Sequence, residues 1–125
     1  METHITYTRT PNNIHIVKWH NHSRDAIYEF VDVTKDILES FPPNSTALIL
    51  QDFRDSAVPS FRMLMDAMAK SGTRKDVNLK VAYLADDLSL QLIVKSLTIS
   101  NNIKGNRQFF KSNQEQDAID WLLSS

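Results

Sequence analysis

Four aspartates stand just past apolar runs in this chain: Asp52 and Asp55 after Thr46-Ala47-Leu48-Ile49-Leu50, and Asp86 and Asp87 after Val81-Ala82-Tyr83-Leu84. Carboxylates in such positions converge at the carboxyl edge of an α/β sheet, where these folds gather their ligands. There they can hold a magnesium ion or accept a phosphoryl group, with Lys111 after the last apolar run as positive partner. The plainer reading makes the same acids turn formers and helix caps. Ser56 follows Asp55 and comes shortly before Pro59, which opens a helical pattern. A phosphate on Ser56 would be favoured by the helix dipole and by Arg54 or Arg62. Equally, Asp55 or Ser56 can satisfy the free N–H groups of that turn.

His20 and His22 have the spacing of two ligands on an extended segment, but zinc needs three or four and no third stands close in sequence. With His4 and His15 in the first hairpin, they read as surface residues. No nucleophile elbow supports a serine-histidine-acid triad. No catalytic residue, metal or cofactor is assigned, and a small-ligand or magnesium-binding enzyme built on Asp52, Asp55, Asp86 and Asp87 is the alternative reading.

Composition narrows the field further. With no cysteine and two glycines, the chain has neither thiol chemistry nor a glycine-rich phosphate loop or dinucleotide fingerprint. A net charge of -1, with acids and bases mixed, argues against a nucleic-acid partner. The basic clusters are thin (Arg74-Lys75, or Lys104, Arg107 and Lys111), and they read as solvated edges. No stretch approaches the ~18 apolar residues of a membrane span, and the start lacks a basic region followed by an apolar run. A cytoplasmic protein without membrane insertion is the expectation. At 125 residues, 42% hydrophobic and 23% charged, residues 1–125 suit one domain with one core.

The elements that must position these residues follow from periodicity. Ile5 and Tyr7 alternate with His4, Thr6 and Thr8, Thr10-Pro11-Asn12-Asn13 is a turn, and Ile14 to Trp19 is a second strand, so the chain opens on an antiparallel hairpin. Ser23 caps a helix with an inward stripe of Ile27, Phe30, Val31, Ile37, Leu38 and Phe41, ended by Pro42-Pro43. A central strand at 46–50 leads through an acidic turn at 51–56 to a helix over 59–71. A strand over 77–84, a third helix capped by Asp86 or Asp87, a short strand over 107–110 and a last helix opened by the capping box Ser112-Asn113-Gln114-Glu115 complete the chain. The order is β-β-α-β-α-β-α-β-α, an α/β fold with a mixed, mostly parallel sheet.

The third helix carries two stripes. Leu90, Ile93, Val94 and Leu97 face one way, while Leu88, Leu92 and Ile99 fall nearly opposite. That second stripe, extended by Met63 and Ala67 on the outer side of the preceding helix, is either a partner surface or is covered by the neighbouring helix or by the polar loop at 101–106.

This order resembles the STAS (sulfate transporter and anti-sigma-factor antagonist) superfamily, and more closely its SpoIIAA-like bacterial members. The residues that carry the resemblance are Ala47-Leu48-Ile49-Leu50 leading into Asp55-Ser56, Val81-Ala82-Tyr83-Leu84-Ala85-Asp86-Asp87, and Ala118-Ile119-Asp120-Trp121-Leu122-Leu123. The resemblance implies a small, non-enzymatic, cytoplasmic module that binds a protein partner, with a homodimer as one form. It places the phosphoacceptor of the anti-sigma-factor antagonists on Ser56. Their signature continues with a second serine and a glycine, where this chain has Ala57, Val58 and Pro59.

Overall fold

A computed structural model describes residues 4–54, 62, 63, 66, 76–86, 92 and 106–124. Its frame is a five-stranded sheet in simple sequential order, β1-β2-β3-β4-β5. The opening strands β1 (Ile5–Arg9) and β2 (Ile14–Trp19) form the expected antiparallel hairpin, in register from Ile5 against Trp19 to Arg9 against His15. Asn13 takes the positive φ of 66° that closes the turn, a conformation that asparagine tolerates better than most residues. The hydroxyl of Thr10 accepts from the Ile14 N–H at 3.1 Å.

β2 runs parallel to β3 (Ser45–Asp52), β3 to β4 (Val77–Leu84), and β4 to β5 (Asn106–Phe110). Between β2 and β3 the chain crosses over through α1 (Arg24–Glu39), whose first turn is capped by Ser23 accepting from the Ala26 N–H at 3.2 Å. Glu29 reaches from α1 to the start of β1, where its carboxylate accepts from the N–H groups of His4 and Ile5 at 3.3 and 3.4 Å. Arg62, Met63, Asp66 and Leu92 are helical, in keeping with helices expected over 59–71 and after Asp87. A second complete helix, α2 (Glu115–Leu123), follows β5.

Strand alternation sorts the interior into two cores, one on each face of the sheet. Val17, Trp19, Ala47, Ile49, Val81 and Tyr83 bury one face against Ala26, Ile27, Phe30, Ile37 and Leu38 of α1. Trp19 is fully buried at its centre, with ring centroids 5.1 Å from Phe30 and 5.2 Å from Phe53. Ile14, Leu50, Ala82, Leu84 and Phe110 bury the other face against Ala118 and Leu122 of α2.

Four sequence expectations are corrected here. Gln51 and Asp52 are not in a turn: they extend β3, paired with Tyr83 and Leu84, and are 4% and 3% exposed. Continuing the ladder satisfies their backbone groups, which outweighs the polarity of the side chains. The capping box at Ser112 does not form. The helix begins two residues later than that box requires, with Gln114 as N-cap, and the Ser112 hydroxyl donates to Asp86 instead. His15 is no surface residue, being 3% exposed on the Trp19 face of β2. Nor is Arg107 a solvated edge, since β5 turns it inward at 7% exposure.

Trp19 bridges α1, β2 and the end of β3, so truncating it removes packing from three elements together. Trp19→Ala is expected to lower stability by about 3–5 kcal/mol, read by urea denaturation. Trp19→Phe should cost much less, because the indole N–H has no partner among the described residues.

Candidate functional site

The carboxyl edge of the parallel strands is where the sequence places chemistry. Asp52 ends β3 on the α2 side of the sheet, its side chain 4% exposed. Two residues later the chain turns back, and Arg54 covers it: its Nε lies 3.1 and 3.2 Å from the two carboxylate oxygens and its Nη2 donates to Oδ2 at 2.8 Å. The Arg54 N–H donates to Asp52 Oδ1 at 2.9 Å. Nη2 also donates at 2.8 Å to Glu115, in the first turn of α2. The guanidinium is therefore shared between two acids, and its pKa is raised, first by the hydrogen bond to Asp52 and then by the charges of Asp52 and Glu115 against the opposing effect of burial.

This arrangement is a fastening. Both oxygens of Asp52 are engaged by Arg54, so a cation there would first have to displace a bidentate guanidinium. Asp86, past the end of β4, accepts the hydroxyl of Ser112. Among the described residues no group of three or more histidine and acidic side chains is placed to hold a metal. Asp55, Asp87 and the phosphoacceptor candidate Ser56 lie outside the described residues, and so do Ala67, Leu88 and Ile99.

The histidines divide. His20 contacts the Thr6 hydroxyl at 2.5 Å and His4 Nδ1 contacts the Asn21 amide at 2.7 Å, so both serve the junction between the hairpin and α1. His20 and His22 are exposed, as expected. His15 lies between the rings of Tyr7, stacked at 5.8 Å, and Phe41, tilted at 5.3 Å. Its Nδ1 meets the Tyr7 hydroxyl at 2.5 Å, and its Nε2 is buried with no partner among the described residues.

Of the expected partner stripe, two members are described. Leu92 is 68% exposed and Met63 37% exposed, both in helical conformation. Away from the carboxyl edge, near the starts of β3 and β5, an open groove of about 750 Å³ is lined by Thr46, Leu48, Lys80, Gln108, Trp121 and Ser124. Lys80 Nζ donates there to the carbonyl and hydroxyl oxygens of Ser124 at 2.8 and 3.1 Å and lies 4.9 Å from the Trp121 ring centroid. Sequence reasoning missed this groove, because it depends on where the end of α2 lands. The inward turn of Arg107 did leave a signal: it shares strand parity with the apolar Phe109.

No protein-family model, curated protein or solved structure matches the chain. What the geometry defines is a class, an α/β protein with a mixed five-stranded sheet in which the edge acids Asp52 and Asp86 are taken up in hydrogen bonds.

Burial and the nearby Arg9 charge lower the pKa of His15 below its ordinary 6.5. The unfolded chain therefore binds a proton at pH values where the folded chain does not, so stability falls as pH drops through 6.5 toward the folded pKa. The slope contributed by this one residue is up to about 1.4 kcal/mol per pH unit. Chemical denaturation between neutral and mildly acidic pH should show it, and His15→Phe, which keeps a ring between Tyr7 and Phe41, should flatten it.

Proposed function

We propose that this chain is a non-enzymatic, cytoplasmic protein-protein interaction module of the SpoIIAA-like type, working through the apolar surface around Met63 and Leu92. The observation that carries this reading is the exposure of Leu92, 68% open on a helical segment, with Met63 also exposed. Apolar side chains of this size on open helical positions suit a partner that covers them. The taking up of Asp52 by Arg54 and of Asp86 by Ser112 supports a binding role over a catalytic one. The mixed sheet, with its antiparallel hairpin ahead of parallel strands, agrees with the element order on which the resemblance rests.

In its switched form the proposal adds phosphorylation of Ser56. The new charge would lie in the segment between Arg54 and Met63 and alter the affinity of the neighbouring surface.

Sedimentation velocity on the purified chain, together with capture from the native cell, tests the module. Leu92→Glu and Met63→Glu should weaken self-association or partner capture at least about 30-fold, as expected for loss of an interface anchor, with the melting temperature unchanged. A monomer whose captured partners are the same before and after both substitutions would refute it. Ser56→Asp should change the same affinity if the switch operates; an unchanged affinity removes the switch and leaves the module.

A further inference from the structure

Arg107 is the one charged side chain among the described residues that is buried without an opposite charge bonded to it. It lies on β5, in register with Val81, and projects to the face of the sheet that holds Val81, Tyr83 and Phe109. The residue is 7% exposed. Its Nη1 donates to the Tyr83 hydroxyl at 2.7 Å, and Tyr83 itself is 1% exposed. Its Nε and Nη2 are buried and donate to no group among the described residues.

Nε and Nη2 form one edge of the guanidinium plane, and their N–H groups project from it side by side, the fork that receives two oxygens of a carboxylate or phosphate. The bond to Tyr83 uses the remaining nitrogen and fixes the plane of the group, leaving that edge intact. Arginine stays protonated at any pH a protein meets, so it cannot relieve its burial by losing the charge. A neutral phenol oxygen on one nitrogen does not compensate a desolvated cation, and buried charges are ordinarily paired. The acids of the Asp52, Arg54 and Glu115 cluster are committed on the other side of the sheet.

We propose that Arg107 is a binding site for a small oxyanion, a carboxylate or a phosphate group, held by two parallel hydrogen bonds from Nε and Nη2 with Tyr83 as the residue that orients the guanidinium. β5 is the outermost of the described strands, so the fork lies at the edge of the sheet. The site is independent of the Leu92 surface and of any role for Ser56.

Two-dimensional NMR of the arginine Nε–H groups reads the site directly. Inorganic phosphate and acetate are titrated separately into the full chain, with chloride at matched ionic strength as control. The expected result is a saturable shift of the Arg107 Nε–H signal with one or both anions, absent with chloride, and a rise of a few degrees in melting temperature. The comparison of the two arms identifies which oxyanion is preferred. Arg107→Lys keeps a charge but loses the fork, and should weaken binding at least about tenfold, the loss of one charge-assisted hydrogen bond. Should that variant fail to fold, Tyr83→Phe serves in its place: it leaves the fork and should bind several-fold more weakly while shifting the same signal. An Arg107 Nε–H signal insensitive to both anions overturns the proposal. So does an equal response to chloride, or undiminished binding in the folded variant.

Discussion

Most of this structure follows from one constraint: the inner strands β3 and β4 must be covered on both faces. Their carboxyl halves are buried at every position, from Ile49 to Asp52 and from Val81 to Leu84. Parallel strands demand this, because their crossover connections return over the sheet and their side chains point alternately into whatever lies above and below. α1 supplies cover on the Trp19 face and α2 on the Leu50 face. Polar side chains caught in the buried halves then need partners of their own. Asp52 obtains Arg54, while Gln51 keeps an oxygen without a partner among the described residues, as Arg107 on β5 keeps two nitrogens.

Much of the fold was legible because local rules and long-range packing agreed. The Pro11-Asn12-Asn13 turn, the Ser23 cap and the Ile27, Phe30, Ile37, Leu38 stripe each appear where spacing put them. The limits of β3 were not legible. Gln51 and Asp52 look like turn formers, and only pairing with Tyr83 and Leu84, about thirty residues onward, makes them strand. Likewise Ser112 resembles a cap but is claimed by Asp86, which no local window contains. His15 misled for a related reason. In a strand buried on both sides its parity with Val17 and Trp19 decides its fate, and its polarity does not.

The candidate site illustrates the same division. Strand ends located the carboxyl edge correctly, since Asp52 and Asp86 both lie there, but the sequence could not say that each would be engaged by a neighbour. For Asp86 that depends on Ser112 arriving from the far end of the chain, and the Arg54 that covers Asp52 is shared with Glu115 from the same end. With Asp52 and Asp86 serving as fasteners, the binding chemistry proposed for this protein rests on the helical surface and the Arg107 fork.

α2 is held at both ends, by Glu115 on Arg54 near its start and by Ser124 on Lys80 just past its end. It also leaves the ribosome some seventy residues after the start of the strand it covers. During synthesis the Leu50 face of the sheet therefore waits, apolar and open, until this helix emerges to close it. That exposes the nascent chain to association through this face at a stage when α1 has already sealed the other. The two polar fastenings act on this problem. They give a helix of nine residues, too short to be stable by itself, a defined landing at each end, so that closure is a single docking event on a sheet already formed.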